Sequence, residues 1–514
     1  MDEHDRAGRR EWIGLAVLAL PTLLIALDIG VLFLALPHLS ADLGATGTEQ
    51  LWITDIYGFM LAGFLITMGT LGDRIGRRRL LLIGAAAFGG ASILAAYSTS
   101  PGMLIVARGV LGIAGATLGP STLALISNMF TDGRQRGLAI SLWGACQFGG
   151  AALGPVIGGL MLSHFWWGSV FLLGVPVMVV LLVAGPVLLP EYRNAGAGRI
   201  DPVSVLLSLV AVLAVVYGIK ELAAGDDATP LPAALAIVVG VVSGVLFLRR
   251  QRRLADPLVD LRLLAKPQIR VVLAAMALGS GALAGTSLLT TQYVQSVVGL
   301  SPALAGVWQA PTGLGIAFGV LVSPALVAKV RPTTAIVAGL CVSAVALVLL
   351  TRLDGGGGLA LVVVCIALVA FGVGPLFALG TGLVVGTAPP AKAGSVAALS
   401  ETSNVLGSTL GLALLGTVGT AVYRDHLAHA APPDVPAAAI ATARQTIGGA
   451  AAVVRQLPSR PGADLLDTAR IAFTNGLTVV ATIGAVLVVG VALLVGIALR
   501  PTPALAEQTT ADVR

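Results

Sequence analysis

Charge is what this sequence has least of. Aspartate, glutamate, lysine and arginine together make up 11% of its 514 residues, where an ordinary soluble domain carries about a quarter. That shortage argues against a water-soluble globular enzyme, a disordered chain or a nucleic-acid-binding domain. Lysine is the scarcest of the four, with only Lys220, Lys266, Lys329 and Lys392, and none lies in a glycine-rich phosphate loop. No G-x-x-x-x-G-K-[ST] string, H-E-x-x-H helix or G-x-S-x-G elbow occurs, so nucleotide-driven transport and the common hydrolase chemistries lack their residues. Three cysteines, Cys146, Cys341 and Cys365, all fall in apolar stretches. They read as small buried hydrophobes, with no disulfide framework or zinc spacing. Histidine numbers five, and His426 and His429 at i, i+3 have no third ligand nearby. Neither a metal nor a cofactor is expected.

What is abundant is apolar. Hydrophobic residues make up 56% and the mean hydropathy is +0.94. They fall in runs near the roughly 20 residues that a transmembrane helix needs. Fourteen spans are expected, at 12–36, 51–71, 80–97, 103–127, 137–162, 166–189, 202–222, 231–248, 269–296, 302–328, 333–351, 358–386, 394–422 and 472–499. The runs are too long, and lack the alternation, for outer-membrane strands. The fold class is therefore an all-α polytopic membrane protein. Its 65 glycines suit close helix contacts in lipid. The first run contains Asp28 and has thirteen more behind it, so it is not a cleaved signal, and Arg9-Arg10 reads as an anchor charge.

Most of the 31 basic residues fall in alternate loops: Arg6, Arg9 and Arg10; Arg74, Arg77, Arg78 and Arg79; Arg134 and Arg136; Arg193 and Arg199; a cluster over 249–270; Lys329 and Arg331; and Lys392. The positive-inside rule makes that side cytoplasmic, with both termini. The same charges favour anionic membrane lipids, which accounts for the net charge of +6 without nucleic acid. Two stretches break the rhythm. Residues 249–268 form a basic, amphipathic, proline-broken connector, and 423–471 form the one long external loop, whose middle (437–457) could make one or two short surface helices.

An ionisable group inside a span is costly unless paired, hydrated or protonated, and so points to function. Four stand out: Asp28, Asp55, Arg108 and Glu401. Asp28, Asp55 and Arg108 fall at similar depth toward the outer side. An arginine there favours ionisation of one carboxylate while another stays able to take a proton. The alternatives are ordinary: Arg108 could snorkel to the surface, and Asp55 could be a helix-end residue in headgroup water. Glu401 shares a helical face with Asn404 and Ser408, a polar stripe that should face a cavity. Gly112, Gly115 and Gly119, below Arg108, have the spacing of a packing face.

Residues 69–81 read GTLGDRIGRRRLL, a glycine-bent turn with an acid among arginines. This string resembles the loop between helices 2 and 3 of the major facilitator superfamily, with Gly69, Leu71, Asp73, Arg74, Gly76, Arg77 and Arg78 matching. Arg108 and Gly112 match its helix 4 motif, with Leu111 where glutamine is usual. Gly150, Gly154, Pro155, Gly158 and Gly159 match the helix 5 motif of its proton antiporters. LDIGVLFLALP at 27–37 is similar to the helix 1 signature of the fourteen-helix drug:proton antiporter branch of multidrug efflux pumps, and 50–64 and 393–411 are similar to helices 2 and 13 of that branch. The resemblance implies a major facilitator fold. A cytoplasmic N-terminus (1–11) would lead into a six-helix bundle (12–190), an inserted pair (202–248) and the connector (249–268). A second bundle (269–499) and a cytoplasmic tail (500–514) would follow, and the bundles would rock about a central cavity.

The expected function is export of lipophilic, mainly cationic small molecules in exchange for protons, across a bacterial inner membrane and by a monomer. Asp28, Asp55, Arg108 and Glu401 would couple protons. Asp28, Asp55, Tyr57, Phe148, Tyr293, Trp308, Glu401 and Asn404 would meet the cargo, since a lipophilic cation needs a carboxylate and an apolar or aromatic wall. Trp52 is a further wall candidate, though any one aromatic can instead be helix packing or an interfacial belt. A dedicated exporter of one natural product, a proton symporter working inward, and a membrane-embedded enzyme or receptor are the alternatives at this stage.

Overall fold

The computed structural model describes residues 7–45, 47–193, 201–223, 230–254, 257–258, 261–353, 358–386, 393–430 and 432–499. Their regular structure is α-helical, with no strand among the described residues. The segments 1–6 and 500–514, with Arg199 and Lys392, lie outside them, as do the side chains of Asp55, Phe148 and Pro155, and Gly159. In chain order the helices are α1 (Arg9–Leu43), α2 (Gly47–Ile75), α3 (Arg77–Ala96), α4 (Pro101–Met129), α5 (Gly133–His164), α6 (Ser169–Leu172), α7 (Gly174–Leu188), α8 (Pro202–Ala223) and α9 (Pro230–Gln251). Then come α10 (Leu261–Ala265), α11 (Pro267–Ser296), α12 (Pro302–Val327), α13 (Pro332–Leu350), α14 (Leu359–Gly386), α15 (Ala393–Ala430), α16 (Ala437–Gln445), α17 (Ile447–Val454) and α18 (Ser459–Ala498). Among the described residues, thirteen stretches are long and apolar enough to cross a bilayer, α6 and α7 together making one. The 32-residue α5 runs beside them as a fourteenth long helix.

The helix pairings repeat. In the first half α1 packs on α5, α2 on α4 and α3 on α7; in the second, α11 packs on α15, α12 on α14 and α13 on α18. Each half has its own apolar core: one around Leu18, Phe88, Leu111 and Leu125, the other around Met276, Leu340, Val373 and Val488. The halves meet along a seam where α5 lies on α12 and α2 on α15. Glycine makes the tight crossings. A Cβ on Gly150 would stand 2.5 Å from the Leu23 carbonyl oxygen of α1, and Gly407 and Gly411 press on the backbone of Ala277 and Gly281 of α11.

The pair α8–α9 sits at the edge. The two pack on each other, with Gly218 against the Ala233 carbonyl, while only 18% and 22% of their spanning windows are buried. At the start of α8, Asp201 accepts from Arg250 Nε at 2.5 Å and Nη2 at 3.0 Å, and from the Ser204 hydroxyl at 2.7 Å. These bonds hold its carboxyl well below the usual carboxylate range. The stabilisation is therefore present above about pH 4 and is lost only as pH falls through the lowered value. In the connector, Leu258, Leu261 and Leu264 pack on Ile66 and Phe247, so its apolar side faces protein.

Two differences from the sequence expectation have simple causes. The stretch 423–471 is mostly helix: α16 and α17 are the short helices expected at 437–457, but α15 and α18 also extend into it beyond their apolar parts, and α16 and α17 fold onto them. Tyr423 donates to the Ala443 carbonyl at 2.7 Å, and Val435, Ile447 and Ala450 are buried there. Cys365 is buried as expected, but Cys146 is half-buried and Cys341 is exposed. A spanning helix is apolar all round, so hydropathy does not distinguish its lipid face from its core face. His429 lies against Asp425 at 3.6 Å and His426 faces Asn475.

Candidate functional site

Ser100 caps α4 and Pro101 opens it, which places Arg108 two turns into the helix. Its guanidinium is 1% exposed and pairs with Asp28 of α1, Nη1 to Oδ2, at 2.5 Å. Nε donates to the Ile53 carbonyl of α2 at 3.2 Å, and the Tyr57 ring lies beneath at 4.7 Å. Gly112 and Gly115 let α2 come this close: a Cβ at Gly112 would stand 2.9 Å from Met60, and one at Gly115 would stand 3.3 Å from the Tyr57 hydroxyl. Gly119, expected in the same packing face, meets nothing within 4 Å among the described residues.

Asp28 and Tyr57 thus serve Arg108 inside the first bundle. Asp28 lines a pocket between α1, α3, α6 and α7, with Phe88, Ser92, Phe171 and Gly174, whose free volume of about 10 Å³ is near that of one water. Tyr57 is buried, and its hydroxyl has no hydrogen-bond partner among the described residues, so it supplies a ring face to the arginine rather than a wall to the central cavity. Tyr57→Phe is therefore expected to transport like the parent. Tyr57→Leu removes an interaction of about 0.5–2 kcal/mol and should slow efflux several-fold in everted vesicles.

Glu401 of α15 faces the seam. It accepts from the Gln147 amide of α5 at 3.0 Å. Around the pair are Trp143, Val320, Phe377, Thr381 and Asn404, enclosing about 20 Å³. Asn404 also accepts from the Ser280 hydroxyl of α11 at 3.1 Å, so the polar stripe divides between the cavity and the bundle. From this cavity, sharing Ile140 and Ala378 with it, a cleft of about 620 Å³ opens between the bundles toward the arginine-rich face. Asn128, Arg134, Arg136 and Ser141 line one side of the cleft, and Pro324 and Gly382 the other.

Phe148 lies outside the described side chains, and the other expected cargo aromatics are elsewhere. Tyr293 is fully buried in the second bundle's core, and Trp308 is 43% exposed, away from both cavities. Trp52 is exposed and stacks edge-on with Phe59. Among the described residues, the aromatics beside Glu401 are Trp143 and Phe377, which the sequence reading missed. The available signal was Gln147, a strong polar residue in a glycine-rich apolar helix, with Trp143 four residues before it on the same face.

In the turn between α2 and α3, Arg77 donates to Asp73 from Nε at 2.9 Å and from Nη2. Gly69 is buried and Arg74 half-buried. Gly76 has φ +114°, and a Cβ there would lie 2.6 Å from Glu191. Glu191, also missed from sequence, accepts from the Arg78 and Arg79 backbone amides at the start of α3 and pairs with the Arg78 side chain at 3.7 Å. A carboxylate there satisfies free helix N–H groups, and it ties the turn to the end of α7. On α5, Gly150 and Gly158 press on Leu23 and Val31 of α1, and Gly154 is buried.

Two helical bundles with repeated pairing, a cleft between them and ionisable groups in the spans define a membrane carrier. The chain belongs to the major facilitator superfamily, whose family model, described as Major Facilitator Superfamily, matches residues 18–412. Among similar proteins, the multidrug efflux pump LfrA of Mycolicibacterium smegmatis is 42% identical, over 94% of this chain and 95% of its own length. The methyl viologen resistance protein SmvA of Salmonella typhimurium is 35% identical over 90% and 93%. The crystal structure of the human organic anion transporter MFSD10 (TETRAN) shares the fold, with a TM-score of 0.59 at 14% identity, covering 93% of this chain and 99% of that one. The chain is a multi-pass carrier of the plasma membrane.

Proposed function

We propose that this carrier is a multidrug exporter that moves lipophilic, mainly cationic compounds outward in exchange for protons. The observation that carries this is Glu401, an acid at the blind end of a cleft between the bundles, with Trp143 and Phe377 beside it. A cation with apolar bulk is recognised by that combination. Relatives named for multidrug efflux and for methyl viologen resistance support the cargo class. Asp28, paired with Arg108 in an enclosed pocket, is the proton-responsive group of the first bundle. Asp55 remains a proposed partner on sequence grounds.

The arginine-rich face is the cytoplasmic one, so the cleft is open inward and both termini are inside. Cargo takes Glu401 from that side. After the bundles rock, protonation from outside discharges the site and releases it. One proton against one monovalent cation draws about 1.4 kcal/mol per pH unit, and each further proton adds the same again plus about 2.3 kcal/mol per 100 mV. No cofactor takes part, and a monomer suffices.

Ethidium efflux from vesicles, with and without a proton uncoupler, tests this. Efflux should stop when the gradient is collapsed. Glu401→Gln should lose ethidium binding. Transport indifferent to the uncoupler would overturn the proton-driven mechanism.

A further inference from the structure

The bond between Gln147 and Glu401 crosses the seam. Gln147 belongs to α5 of the first bundle and Glu401 to α15 of the second, and the amide nitrogen stands 3.0 Å from the carboxylate oxygen. The cavity around them holds about 20 Å³, too little for an organic cation. A cargo molecule in the wider cleft must therefore move Gln147 aside to reach the charge. The amide N–H carries the positive end of a dipole, so it occupies the carboxylate as a cation would.

The strength of such a bond depends on the state of Glu401. A hydrogen bond to an ionised carboxylate is roughly twice as strong as a neutral one. The tie is thus strongest when Glu401 is ionised and empty. It weakens when the acid is protonated, and is lost when cargo takes the carboxylate. Obligatory exchange forbids one species from reorienting, the carrier with neither proton nor cargo, and that is the species the bond restrains.

We propose that Gln147 is a latch on Glu401 that holds the empty, ionised carrier in the inward-open state and releases it on loading. The proposal rests on the export function proposed above. Among the described residues lining the cavity, Glu401 is the sole ionisable side chain. On the helices packed against α15, the charged residues sit toward helix ends: Glu49, Asp73 and Arg74 of α2, Lys220 and Glu221 of α8, Arg270 of α11, Arg444 of α16, and Arg460, Asp464, Asp467 and Arg470 of α18. The exceptions are Arg108, committed to Asp28, and Asp55. Gln147 is a positioning residue, acting through Glu401.

The test is proton leak without cargo. Full-length carrier in liposomes with an imposed pH gradient should hold it when ethidium is absent. Gln147→Met keeps the side-chain length and removes the amide. With both protonated and empty carriers free to reorient, it should dissipate the gradient about tenfold faster, the scale of a lost charge-assisted bond. It should also bind ethidium more tightly and carry more protons per ethidium. Gln147→Ala provides a second variant if the methionine packs badly, and ethidium binding reports folding in both. Parental leak and parental ethidium affinity in a folded variant would overturn the latch. Parental ethidium binding by Glu401→Gln would instead overturn the cargo site itself, so the two failures are distinguishable.

Discussion

Asp28→Asn is expected to abolish proton-driven efflux while leaving the carrier folded in the membrane. The asparagine oxygen can still accept from Arg108, so the contact at 2.5 Å survives in weakened form. The side chain can no longer bind and release a proton, and the arginine keeps the Ile53 carbonyl and the Tyr57 ring. Arg108→Ala should behave differently. It strands a carboxylate inside the bundle, and losing one partner of a buried pair costs about 3–5 kcal/mol, so this variant should fail in stability as well as transport. Ethidium uptake by everted vesicles under an imposed pH gradient, with membrane levels measured in parallel, separates the two. Undiminished transport by Asp28→Asn would refute the role of this acid.

Gly407→Leu is expected to prevent assembly of the second bundle. A Cβ there would meet the carbonyl oxygen and both carbons of Ala277, backbone of the facing helix, which has no rotamer to yield. Overpacking a core costs about 1–3 kcal/mol where side chains can shift, and more is expected against main chain. Thermal melting in detergent should show a large loss of folded carrier. Gly119→Ala, placed where nothing lies within 4 Å, is the control and should stay within about 0.5 kcal/mol of the parent. A melt of Gly407→Leu that matches that control would mean α11 and α15 do not pack this closely.

Depth was legible in the sequence and direction was not. Hydropathy located most ends of the spanning helices to within a few residues, because each apolar run must match the bilayer; the exceptions are the end of α1, the end of α15 and the start of α18. It set Asp28 and Arg108 at the same level, and the structure pairs them. It could not set the rotation of a helix that is apolar on every side. So Tyr57 read as a cargo wall and turns out to lie under Arg108, and Tyr293 is sealed in a core. The Gly112 spacing was readable as packing because a small-residue stripe has a direction of its own. Gln147 and Glu191 escaped because their roles depend on partners 254 and 113 residues away in sequence, a relation that no local pattern carries. The short helices α16 and α17 were legible within 437–457; what escaped, for a related reason, is the extension of α15 and α18 past their apolar parts, which owes its order to packing around Tyr423 and the apolar cluster there, not to hydropathy.

Those two short helices pack on α11, α15 and α18 and on each other, all within the second half of the molecule. They therefore travel as a visor fixed to one jaw. A fluorophore on α16 should keep a constant separation from a second on α18 throughout the cycle, while its separation from one at the outer end of α1 should change with every stroke. In the orientation proposed above, the hinge angle is thus read from outside the cell surface without touching the groups that handle cargo.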